Sequence, residues 1–106
     1  MEINEYQKLA MKTLNKDIPK NEILINAVMG LCSESGEAID IVKKQLFQGH
    51  ELDEAHLKEE LGDIAWYLAE AAEALGVDLN EIFTSNIDKL KKRFPDGFEA
   101  DKSINR

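Results

Sequence analysis

Cysteine occurs once, at Cys32, in a chain of 106 residues. That excludes an intramolecular disulfide and any cysteine-built zinc site, and Cys32 reads as a small buried core residue rather than a reactive thiol. Proline occurs twice, and both copies fall where a helix must break. No apolar run approaches the length of a membrane span. The opening Met1-Glu2-Ile3-Asn4-Glu5 has neither a basic flank nor an apolar signal core, so a cytoplasmic location is expected. Basic side chains are the minority, thirteen against twenty-one acidic, for a net charge of −8. That balance argues against non-specific binding of nucleic acid or acidic membrane as the main activity, and a polyanionic substrate would need help from a metal. The 43% apolar content supports one domain with a modest core, which a second chain can complete.

There is no repeat, low-complexity segment, linker or convincing strand, and the punctuation divides the chain into four helices. Asn4 followed by Gln7 has the spacing of a capping box for a first helix running to about Leu14. Asp17-Ile18-Pro19 ends that segment. A long second helix is predicted from about Glu22 to Phe47, before Gly49, and a third from an Asp53 cap to Leu75, closed by Gly76. Asp78 and Glu81 form another capping box for a fourth helix, stopped at Phe94-Pro95-Asp96-Gly97. The reading is an antiparallel four-helix bundle over residues 1–98, with 99–106 a flexible C-terminal tail.

Within this frame Glu34 and Glu37 recur twenty-six residues on as Glu60 and Asp63. At about 100° per residue, Ile23, Ala27, Leu31, Ala38 and Ile41 surround the direction of Glu34, with Glu37 at the polar edge. Leu57, Ile64, Tyr67, Ala71 and Leu75 surround Glu60, with Asp63 at the polar margin beside Glu70. Each helix thus offers one deep carboxylate and one at the rim, and the short Gln48–Leu52 connection makes the two helices antiparallel neighbours. Single Glu pairs at this spacing are usually solvated. Two pairs on facing apolar arcs are not, because buried bare carboxylates repel and cost several kcal/mol each unless compensated. The pattern therefore calls for a cation. Oxygen ligands, without cysteine and without a well-placed histidine, favour Mg²⁺ or Mn²⁺ over zinc, and the absence of Glu-x-x-His argues against a di-iron oxidase. His50 and His56 read as surface residues of the loop and the helix start.

On the fourth helix Asn86, Lys89 and Arg93 share a stripe beside Ile82, Phe83, Leu90 and Phe94, and Lys44 lies two turns beyond Glu37 on the second helix. Together these can hold phosphate oxygens. Lys89, Lys91, Lys92 and Arg93 also suit a helix C-terminus on charge grounds alone. Trp66, near the rim occupied by Asp63, has two readings, stacking on a base or packing against another subunit. The second helix is apolar on its reverse side as well, through Ile25, Val28, Met29, Cys32 and Ile39, while Gly36 and Gly62 fall on the reverse sides of their helices. One small bundle cannot cover both faces, which predicts helical association.

These residues resemble the MazG-like, all-α nucleoside triphosphate pyrophosphohydrolases, marked by Glu-x-x-Glu, a spacer and Glu-x-x-Asp. The chain reads Glu34-Ser35-Gly36-Glu37, then Glu60-Leu61-Gly62-Asp63, then Asn86-Ile87-Asp88-Lys89-Leu90-Lys91-Lys92-Arg93-Phe94-Pro95, and the resemblance covers about Ile23 to Phe98. It implies hydrolysis between the α- and β-phosphates of a nucleotide, with Mg²⁺ essential and Mn²⁺ as a substitute. Glu34, Glu37, Glu60 and Asp63 would bind metal and carry the catalysis, Lys44, Lys89 and Arg93 would contact phosphates, and Asn86 the sugar or phosphates. Family members are dimers or dimers of dimers. Phosphoribosyl-ATP pyrophosphohydrolases share the architecture and stand as an alternative substrate class. A non-catalytic acidic helical module that docks another protein is the competing reading, and it needs no metal.

Overall fold

A computed structural model describes residues 1–105 and gives five helices: α1 (Ile3–Met11), α2 (Lys20–Phe47), α3 (Glu54–Leu75), α4 (Leu79–Arg93) and α5 (Ala100–Ile104). The expected all-α class holds, and among the described residues there is no strand. No helix among the described residues is long and apolar enough to cross a membrane. The short α5 occupies most of the segment read as a tail, whose last residue, Arg106, lies outside the described residues.

The stops and starts follow local chemistry. Asp53 caps α3, its Oδ1 accepting from the His56 backbone N–H at 3.1 Å, and Gly76 closes the helix at φ 72°, a left-handed conformation that glycine adopts without steric cost. Asp78 caps α4 in the same way, accepting from Glu81 N at 2.8 Å.

The α1 capping box is a correction. Glu2, not Asn4, precedes the helix, and α1 carries no side-chain cap. Asn4 and Gln7 instead turn to the start of α4, where Asn4 Oδ1 accepts from Asn80 N at 3.1 Å and Gln7 Oε1 from Leu79 N at 2.7 Å. With Glu81 N on Asp78 Oδ1 and Ile82 N on the Asp78 carbonyl, all four amides of the first turn of α4 have acceptors. Gln7 is buried, and its amide also donates to Glu73 Oε1 and to the Val77 carbonyl.

α3 is the central element. One side receives α2 as an antiparallel partner, and α1 and α4 pack elsewhere on it. Ala10, Ala69, Ala72 and Leu79 form the buried cluster joining α1, α3 and α4, flanked by Tyr6, Met11, Trp66 and Ile82. At the α2–α3 contact Gly30 faces the ring of Tyr67 so closely that a Cβ there would overlap it. That approach draws the two helices together one turn from Glu34.

Three further expectations change. Leu75 is exposed at the end of α3 rather than inside its apolar arc. Glu70, read as marginal, is fully buried, and both its carboxylate oxygens lie 2.9 Å from Asn26 Nδ2. Close α2–α3 packing has turned that margin into interior. Cys32 is exposed instead of buried, because it lies on the outward stripe of α2. Ile25, Val28, Met29 and Ile39 along that stripe are between 50% and 67% exposed. Among the described residues, nothing beyond the adjoining backbone of its own helix comes within 4 Å of where a Cβ on Gly36 or Gly62 would stand.

The fold is correspondingly open. Its radius of gyration is 16.9 Å, against about 13 Å for a compact domain of this length. It exposes 7911 Å², whereas a compact monomer of this mass exposes about 6,000 Å².

Candidate metal centre

The facing of α2 and α3 brings three of the four motif carboxylates together. One oxygen each from Glu34, Glu37 and Glu60 lie within 4.8 Å of one another. Glu60 is 6% exposed and Glu34 half-buried, while Glu37 opens to solvent, matching the deep and rim positions read from helical spacing. Asp63 is exposed and stands just outside the trio, lining a cavity of about 370 Å³ with Glu34, Trp66 and Tyr67.

The electrostatics are those of acids forced together. Glu34 is pushed up to about 7, first by its hydrogen bond to Glu60, then by burial and by the charge of Glu37. Glu60 moves below its ordinary value, because Glu34 and His56 hydrogen-bond its ionised form. One proton bridging the pair explains both directions. The Tyr67 hydroxyl is raised by burial and then by the surrounding carboxylates.

Glu34 Oε2 and Glu60 Oε2 are both buried with no hydrogen-bond partner among the described residues. A buried carboxylate oxygen without a donor costs free energy that a cation removes. Three convergent carboxylates with two orphaned oxygens suit a hard divalent ion held through oxygen.

Beside this trio opens a cavity of about 460 Å³ lined by Glu37, Asp40, Lys44, His50, His56 and Glu60, among others. Lys44 is thus brought to the acidic site. Its Nζ pairs with Asp40 Oδ2 at 3.0 Å, and Lys43 holds the other oxygen at 3.2 Å. The two ammonium groups keep Asp40 below the usual carboxylate range. Both histidines are exposed, in the loop and at the helix start as expected, yet both line the cavity, and His56 is well placed for the acidic site after all, its Nε2 reaching Glu60 Oε1 at 3.0 Å. The spacing of His56 and Glu60, one turn apart on one helix, was the available signal.

The α4 residues lie elsewhere. Lys89 and Arg93 line a different cavity, of about 590 Å³, with Lys92, Pro95, Asp101 and Lys102, and the Arg93 guanidinium sits 5.9 Å from the Phe94 ring centroid. Asn86 is exposed on the same helix, which packs on α1 and α3. Within one chain, then, the structure joins Lys44 to the carboxylates and leaves Asn86, Lys89 and Arg93 apart. Trp66 is committed to packing inside the chain: its ring N–H donates to the Ala10 carbonyl at 3.2 Å and Thr13 Oγ1 at 2.8 Å, and its ring meets Tyr67 edge-on.

A curated relative, the Gene 37 protein of Mycobacterium phage L5, is 34% identical over 94 residues, spanning 85% of this chain and 82% of its own length. Its name carries no activity. No solved structure matches the chain. The MazG nucleotide pyrophosphohydrolase domain family matches residues 24–98, a span holding α3, α4, the acidic trio and nearly all of α2. The chain belongs to the MazG nucleotide pyrophosphohydrolase family.

Proposed function

We propose that this protein is a divalent-cation-dependent hydrolase that cleaves nucleoside or deoxynucleoside triphosphates between the α- and β-phosphates, releasing the monophosphate and pyrophosphate. The observation that carries the reading is the pair of buried, unpartnered oxygens on Glu34 and Glu60, converging with Glu37 at the mouth of a cavity that also holds Lys44. Family membership supplies the reaction class.

Mg²⁺ is the proposed ion, with Mn²⁺ as a substitute, and Glu34, Glu37 and Glu60 hold it with Asp63 close by. Bound there, the ion polarises phosphate oxygens and supplies a water acidic enough to attack near neutral pH. The chain's own groups do the rest. A carboxylate of the cluster takes the proton from the attacking water as its oxygen bonds to phosphorus and the α–β bridge breaks. Lys44 offsets charge on the phosphates beside Glu37. Burial of Glu60 keeps that part of the site dry, which strengthens each of these interactions.

Asn86, Lys89 and Arg93 require a second chain to meet the acidic groove, and we propose a homodimer or dimer of dimers built on the outward stripe of α2. In support, the chain exposes about 1,900 Å² beyond a compact monomer of its mass. A dimer that covered it would bury enough for an obligate interface. A cytoplasmic setting is part of the proposal, since a chain with one cysteine carries no intramolecular disulfide framework of the kind small secreted domains use.

The deciding experiment is a nucleotide panel with Mg²⁺, scored for pyrophosphate against orthophosphate. Equimolar monophosphate and pyrophosphate is the expected result. Release of orthophosphate alone would place the cut elsewhere, and no turnover with any nucleotide would favour the protein-docking module.

A further inference from the structure

The imidazole of His56 has no assigned part in the chemistry above, yet its position is tightly determined. The backbone it hangs from is fixed, because its own N–H is the donor that Asp53 Oδ1 accepts at the start of α3. One turn on along the same face stands Glu60. The ring reaches across that turn to put Nε2 3.0 Å from Glu60 Oε1. An ionised carboxylate can only accept, so Nε2 carries the hydrogen and donates it.

The consequence falls on the two oxygens of Glu60, which the contact makes unequal. Oε1 has a donor, whereas Oε2 is buried without one, as is Oε2 of Glu34. Glu60 is 6% exposed, so no bulk water completes it. His56 itself is half-exposed and is not one of the three residues whose oxygens gather within 4.8 Å. It stands outside that ring and grips one member.

We infer that His56 is a positioning residue for the metal centre: by holding Oε1 of Glu60 it locks the carboxylate so that Oε2 remains free for a divalent cation shared with Glu34 and Glu37. This rests on the cation reading above. The physical basis is the cost of freezing a flexible ligand. A glutamate has three rotatable bonds, and an ion that must order them loses affinity for doing so. His56 orders them beforehand.

The test uses the full chain, stripped of metal and titrated with Mn²⁺ while the electron paramagnetic resonance signal of the free ion is followed. Two variants separate donor from ring: His56→Phe keeps an aromatic ring and loses the donor, and His56→Gln keeps a donor of similar reach. Wild type should bind, His56→Phe should bind about tenfold more weakly, and His56→Gln should stay near wild type. The metal-free melting midpoints of both should be close to that of wild type, because the ring is half-exposed. Wild-type affinity in His56→Phe would overturn the proposal, as would equal weakening in both variants. A directly bound nitrogen in the pulsed spectrum of the Mn²⁺-loaded wild type that is missing from His56→Phe would overturn it too, since His56 would then be a ligand. A flat titration in wild type would remove the cation reading along with it, whereas wild-type binding unaltered in the variants removes only the role of His56.

Discussion

Asn26→Ala should be one of the more damaging single changes available outside the acidic trio. Glu70 is fully buried, and the Asn26 amide nitrogen lies 2.9 Å from both of its oxygens. Among the described residues no salt bridge reaches that carboxylate. A hydrogen bond to a charged group contributes about 1.5–3 kcal/mol, and stripping a buried charge of its partner costs about 3–5 kcal/mol, so a loss of about 3 kcal/mol is expected. With an unfolding entropy of about 2.1 cal/mol/K per residue, that corresponds to a melting midpoint lower by about 13 °C. The double variant Asn26→Leu, Glu70→Leu removes donor and charge together and should recover most of the loss, since apolar packing replaces buried polar pairs at little or no cost. Calorimetry on metal-free protein at one fixed chain concentration measures all three. If Asn26→Ala melts within about 5 °C of wild type, equivalent to about 1 kcal/mol, the pair does not carry the charge as argued.

Glu37→Gln should remove most turnover while leaving the helical circular dichroism intact, because this exposed residue packs little; unchanged turnover at saturating Mg²⁺ would end its assignment as an essential ligand. Met29→Asp adds a charge to the open stripe of α2, where Met29 is 67% exposed in the single chain. Light scattering should show dissociation, and a mutant that keeps the wild-type mass would show that copies do not meet there. The metal-free protein should gain stability as pH falls from about 7 towards 5, because Glu34, raised to about 7 from 4.5, retains in the fold a proton that the unfolded chain has released. Glu60, shifted below its ordinary 4.5, opposes this only at lower pH. Mn²⁺ affinity should run the other way, rising towards pH 7.5 as the proton leaves, and a pH-independent affinity would contradict the shared proton.

Much of this molecule is legible where chemistry is local. Asp53, Asp78 and Gly76 end or begin helices by contacts within a few residues, and the 100° rule alone places Glu34 and Glu60 inward with Glu37 at the rim. Prediction fails where a local motif finds a distant partner. Asn4 and Gln7 have capping-box spacing, yet their acceptors go to α4, because the start of that helix offers orphan amides and their own helix points them there. Glu70 lies about 80° from Glu60 on a helical wheel, a margin under average packing, but Gly30 lets α2 close over it. Cys32 escapes prediction for a different reason: its stripe is apolar, but nothing among the described residues covers it. The sequence puts Lys89 and Arg93 on one stripe but does not carry the tertiary information that seats α4 on α1 and α3 rather than beside the carboxylates.

The borrowed cap on α4 also imposes an order of events on folding. The α2–α3 hairpin needs only a short turn to form, so its nucleation involves little loop-closure entropy. The Leu79 and Asn80 amides of α4 gain their protein acceptors only when Gln7 and Asn4 arrive from 72 and 76 residues away. Closing a loop of that length costs more entropy than forming the local α2–α3 turn. The start of the helix that carries Asn86, Lys89 and Arg93 therefore loses two of its acceptors when α1 lifts. Amide exchange at Leu79 and Asn80 will report the undocking of α1, not the intrinsic stability of the helix to which those amides belong.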